Sequence, residues 1–152
     1  MAAERQPLRV VVDSEGDITS ESKLLGLQGK VVVAMATNKG IEHDLNNSDQ
    51  IAYKSFAADD GRVDLRLLLS WLATQGCNEI LVEAGATLAG AFVDQQLVDE
   101  LWVYMAPKLM GSRARPLLNL PLDKMSQQVP MTLVESRVIG DDIRFIYQLE
   151  SD

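Results

Sequence analysis

Two short apolar runs, L-R-V-V-V-D at 8–13 and K-V-V-V-A-M-A at 30–36, most restrict what this chain can fold into. Both are rich in β-branched residues, so they read as strands. Neither alternates cleanly between apolar and polar side chains. That is the pattern of strands covered on both faces, as in a parallel sheet flanked by helices.

The rest of the chain fits around them. T-S-E-S-K-L-L-G-L-Q-G reads as a short helical turn closed by glycine, and the polar segment 38–60 carries a short strand near 51–56. Asp64 can cap a helix whose Leu65, Leu68, Leu69 and Leu72 fall at helical spacing, with Gly76 ending it. A strand at 79–83 follows, then a helix at 87–97 with Leu88, Ala91, Phe92 and Gln95 along one face, then a strand at 100–105. Strands alternating with helices from 30 to 105 predict right-handed crossovers onto a mostly parallel sheet. The segments 132–139 and 143–149 flank Gly140-Asp141-Asp142 and predict an antiparallel hairpin. The expected fold is α/β, a mixed sheet flanked by helices with a C-terminal hairpin, in one domain of 152 residues.

Charge and composition narrow the function. A net charge of −8 argues against nucleic acid and anionic membranes as partners, although a local cluster of donors can still hold a phosphorylated ligand. A lone cysteine, Cys77, forms no intrachain disulfide and reads as a small structural residue. With a single histidine, His43, in a polar loop, neither a zinc site nor a Ser-His-Asp set is expected. No apolar run reaches membrane-span length and no signal region opens the chain, so a cytoplasmic location is expected.

The chemistry-bearing stretch is E-I-L-V-E-A-G-A-T-L-A-G, from 79 to 90. Ligands of open α/β sheets bind beyond the carboxyl ends of parallel strands, where this reading places Glu83 and the turn after it. Gly85 allows unusual dihedrals and close approach by a ligand. The first amides of the following helix make an anion site, and Thr87 can cap that helix or hold a phosphate oxygen. Two readings stand side by side: a tight packing turn of small residues, or a phosphate seat. The spacing is neither a P-loop nor G-x-G-x-x-G. Glu83 is either a solvated or arginine-paired carboxylate, or an acceptor for a polar ring bearing N–H groups. The loop A-P-K-L-M-G-S-R-A-R-P gathers Lys108, Arg113 and Arg115, either as a solvated loop or as a basic loop near an anionic ligand.

The run L-V-E-A-G-A-T-L-A-G-A-F-V-D-Q-Q-L-V-D-E-L-W-V-Y-M-A-P-K-L-M-G resembles the C-terminal reductase domain of the bifunctional riboflavin-biosynthesis deaminase/reductase, and P-L-R-V-V-V-D-S and G-R-V-D-L-R-L-L-L-S-W-L-A match it too. The resemblance implies a dihydrofolate-reductase-like fold. It also implies NADPH-dependent reduction of 5-amino-6-(5-phosphoribosylamino)uracil to the ribitylamino product. By position, Glu83 aligns with a substrate-contacting glutamate. Gly85, Ala86, Thr87, Leu88, Ala89, Gly90 and Ala91 align with the cofactor-phosphate turn and helix start. Ser14 aligns with a cofactor-contacting serine, with Asp13 beside it. No catalytic residue and no metal is assigned. The family's reductase domain begins earlier, with a strand ending in a Ser-Leu-Asp-Gly-like motif that this chain lacks. Residues 7–152 therefore correspond to a partial reductase domain behind a tail at 1–6, with its first part and the zinc deaminase domain missing. Loss of a strand exposes apolar edge surface, and the family dimerises through this domain, so a homo-oligomer, above all a dimer, is expected. The alternatives are a non-catalytic oligomerisation or regulatory relative, or a same-fold reductase of another pterin or pyrimidine.

Overall fold

The computed structural model describes residues 6–19, 21–36 and 50–150, so His43 lies outside the described residues. The chain divides into two compact units, Met1–Glu79 and Ile80–Asp152.

The first unit is built on the two runs that dominate the sequence. Strands β1 (Arg9–Asp13), β2 (Val31–Met35) and β3 (Ile51–Ser55) form a parallel sheet in the order β1-β2-β3. The register pairs Arg9 with Val31 and Val31 with Ile51. Every residue of the central strand is buried, and Val33 is 0% exposed. Val31, Val33 and Met35 form a core cluster with Leu25, which comes from a 3₁₀ turn at Lys23–Gly26. Helix α1 (Leu65–Thr74) starts where its local chemistry dictates: the Asp64 side chain accepts from the Leu67 N–H. It ends at Gln75, and Gly76 follows with φ +82, the left-handed conformation that suits glycine after a helix. Leu65, Leu68 and Leu72 are its buried stripe. The Trp71 ring packs on Phe56, just past β3, with centroids 5.6 Å apart.

The second unit opens with helix α2 (Ala86–Asp94), which buries Gly90, Phe92 and Val93. Strands β4 (Glu100–Met105), β5 (Met131–Ile139) and β6 (Asp142–Leu149) form an antiparallel sheet in the order β4-β6-β5. The hairpin turns through Gly140, with φ +63, and its register shifts between Leu133 and Glu135. Arg144 on β6 pairs with Glu135 on β5, and its guanidinium lies 5.0 Å from the centroid of the Trp102 ring. The Glu135 hydrogen bond, first among several causes, raises the Arg144 pKa further.

Two expectations are corrected. Residues 79–83 form no strand: no described segment pairs with them, and Leu81 is 83% exposed. An apolar run is only competent to be a strand, and a ladder also needs a neighbour to satisfy its amides and carbonyls. The boundary between the two units falls within this run, between Glu79 and Ile80. Among the described residues the parallel sheet comprises β1 to β3 alone, and β4 pairs antiparallel with β6.

Candidate functional site

Ser14 belongs to the first unit, and Glu83 and the turn after it belong to the second. The chain leaves β1 at Asp13, a buried carboxylate. Its Oδ1 accepts from the N–H of Gly16 at 2.8 Å and of Asp17 at 2.9 Å, and its Oδ2 from Ile18 at 2.9 Å. Those bonds fold the loop tightly, which leaves the neighbouring Ser14 fixed. The Ser14 Oγ accepts from the Val63 N–H at 3.2 Å, so its own proton is available for another acceptor. Asp13, Glu15 and Asp17 stand close in sequence here, so this loop favours contact with a hydroxyl or amide over a phosphate.

Glu83 is exposed, and its carboxylate meets no donor or cation among the described residues. It therefore does not sit at a strand end, but it remains two residues before the cap of α2. Gly85 is that cap, with φ −70 and ψ 169. This is ordinary extended backbone, so the unusual dihedrals expected of Gly85 are absent. A Cβ added there would meet nothing within 4 Å. The fold itself makes no demand for glycine at this position; a ligand approaching the backbone would.

The two helices begin differently. Where α1 is capped by Asp64, α2 has no side-chain cap and no acidic residue in its first turn. The first helical bond of α2 runs from the Ala89 N–H to the Gly85 carbonyl, which leaves the N–H groups of Ala86, Thr87 and Leu88 directed outward. With the helix dipole they favour an anion.

Gly85, Ala86, Thr87 and Leu88 line one cavity of about 500 Å³ together with Arg115, Pro116 and Asn119. The structure thus brings together four of the sequence-predicted residues. Ala89 and Ala91 are half-buried in the helix, and Gly90 is buried against the backbone of Asn119. Of the three cations in the basic loop, Arg115 lines the cavity, while Lys108 and Arg113 do not. An arginine beside outward amides is a natural partner for phosphate oxygens.

Asn119 was invisible to sequence reasoning. Its N–H donates to the Ala86 carbonyl at 3.0 Å, and its Nδ2 donates to the Thr87 Oγ1 at 3.0 Å. The available signal was Gly90, a glycine inside a helix, which often marks close backbone approach. Among the described residues no cluster of metal-ligating side chains occurs, and no helix is long and apolar enough to cross a membrane.

The model of the family described as the RibD C-terminal domain matches residues 1–145. The riboflavin biosynthesis protein RibD of Escherichia coli is 37% identical over 140 residues, which is 91% of this chain and 37% of that protein. A Buchnera aphidicola protein named 5-amino-6-(5-phosphoribosylamino)uracil reductase is 30% identical over 144 residues, 93% of this chain and 67% of that protein. The chain thus spans well under half of the RibD proteins it matches. A deaminase/5-amino-6-(5-phosphoribosylamino)uracil reductase from Thermotoga maritima superposes with a TM-score of 0.75 at 16% identity, covering 95% of this chain and 38% of that one, a likeness of fold. With its dihydrofolate-reductase-like fold and its family match over nearly the whole length, this chain belongs to the family of RibD C-terminal domains.

Proposed function

We propose that this chain is part of an NADPH-dependent reductase that converts 5-amino-6-(5-phosphoribosylamino)uracil to its ribitylamino product in riboflavin biosynthesis, with residues 7–152 as part of the reductase domain. A reductase of this family implies a reduced nicotinamide cofactor. That cofactor supplies the hydride, and the protein supplies binding, orientation and electrostatics. The residues on α2 suit a dinucleotide phosphate. The amides of Ala86, Thr87 and Leu88 donate to its oxygens, Gly85 lets it approach, and Arg115 balances its charge. Ser14 offers a hydroxyl proton to the cofactor. Glu83 is the acceptor for N–H groups of the pyrimidine ring.

The observation that carries this reading is the start of α2. It has no cap of its own, and its cap position is a glycine that the backbone does not require. Titration of the chain with NADPH, followed by fluorescence, tests it. The wild-type chain binds saturably, and Gly85→Val binds about tenfold more weakly while keeping its circular dichroism spectrum. A well-folded wild-type chain that binds no NADPH overturns the reading. Turnover with the pyrimidine substrate separates the reductase from a non-catalytic relative.

A cytoplasmic homodimer is part of the same proposal. The apolar side chains exposed on β4 and β5 support self-association: Trp102, Tyr104 and Met105 on one strand, Leu133, Val134 and Val138 on the other.

A further inference from the structure

Thr87 is the second residue of α2, so no carbonyl of its own helix lies four residues back to take its proton. A hydroxyl has one proton and two lone pairs. Asn119, 32 residues away, donates its Nδ2 proton to one of those lone pairs at 3.0 Å. The Thr87 proton is therefore not used in that contact, and among the described residues it meets no acceptor.

The backbone of Asn119 is held independently of its side chain. Its N–H donates to the Ala86 carbonyl at 3.0 Å, and its own carbonyl oxygen lies 2.1 Å from where a Cβ on Gly90 would stand. The amide side chain thus projects from a point fixed against the first turns of α2.

We infer that Asn119 is a positioning residue for the phosphate seat. By occupying a lone pair of the Thr87 hydroxyl, it makes that hydroxyl a proton donor toward a phosphate oxygen, beside the outward amides of Ala86, Thr87 and Leu88. Phosphate oxygens only accept, so a seat gains from every group whose donor sense is set in advance. An asparagine achieves this without charge. A carboxylate at the same place would accept the Thr87 proton and repel the ligand. The inference rests on the phosphate reading of α2 proposed above.

The test is NADPH affinity across a mutant cycle on the full chain: wild type, Asn119→Ala, Asn119→Asp, Thr87→Val, and the double variant Thr87→Val with Asn119→Ala. Asn119→Ala is expected to bind about fivefold more weakly, the scale of one modest hydrogen bond. Asn119→Asp, of equal size, is expected to lose more. The double variant should bind no more weakly than Thr87→Val alone, because Asn119 acts only through that hydroxyl. The unfolding midpoint of Asn119→Ala should stay near wild type, since its backbone contacts persist. Unchanged affinity in both Asn119 variants overturns the inference, and so do losses that multiply in the double variant. A wild-type chain without NADPH binding overturns the seat and the inference together; a binding wild type with unaffected variants overturns the inference alone.

Discussion

A methyl group added at position 90 would stand 2.1 Å from the Asn119 carbonyl oxygen and 2.9 Å from its carbonyl carbon. Those are backbone atoms, so they cannot swing aside. Helix propensity alone favours alanine over glycine by about 1 kcal/mol. Overpacking against a fixed backbone costs about 3 kcal/mol. The contact wins, and Gly90→Ala is expected to destabilise the chain by about 2 kcal/mol, read by urea unfolding. Unchanged or raised stability would show that the Asn119 segment is free to retreat. Gly85 is the opposite case, with nothing near its missing Cβ. Two glycines of one motif, both assigned to the cofactor turn by resemblance, therefore do different work. Gly90 admits the protein's own backbone, and Gly85 is open on its Cβ side.

At the scale of elements, the contrast between α1 and α2 makes a second prediction. Asp64 caps α1, and α2 begins on a residue with no side chain. Gly85→Asp would give α2 the same kind of cap. Aspartate for glycine at an N-cap, with a negative charge at the positive helix end, contributes about 0.5 kcal/mol. The same carboxylate would occupy the amides and repel a phosphate. Stability and NADPH affinity are thus expected to move in opposite directions, the midpoint of thermal unfolding up and binding down. If both fall, the α2 terminus is not an open anion seat.

The elements legible in the sequence were those specified locally. The Asp64 cap with its leucine spacing announced α1, the valine-rich runs announced β1 and β2, and Gly140-Asp141 announced the hairpin turn. Residues 79–83 have an equally apolar sequence and form no strand. Their state depends on a pairing neighbour, which composition does not encode. Asn119 was hidden for a related reason. Its contact to Thr87 spans 32 residues, and nothing around it in sequence marks it as facing a helix start. The candidate site was legible as far as its continuous segment reached; Arg115 stood out only as one of three cations in a basic loop, and Asn119 not at all.

For the whole molecule, the net charge of −8 and the exposed apolar strands pull against each other. Like charge opposes association at long range and is screened by salt, with a Debye length of about 8 Å at physiological ionic strength. Apolar burial acts at contact and persists. The chain is therefore expected to sediment as a dimer at physiological salt, with dissociation favoured as salt is lowered. A monodisperse monomer across that range would count against self-association.

The loop after β1 has a consequence of its own. Three successive amides, those of Gly16, Asp17 and Ile18, converge on the Asp13 carboxylate in the manner of an anion-binding nest. That carboxylate is tethered a few residues away, so its effective concentration is fixed by the chain and not by the solution, on the order of millimolar or more. A dissolved anion would have to displace a competitor that never diffuses off. The loop is an anion receptor that carries its own ligand, and it holds the Ser14 hydroxyl beside that filled seat, accepting from the Val63 N–H.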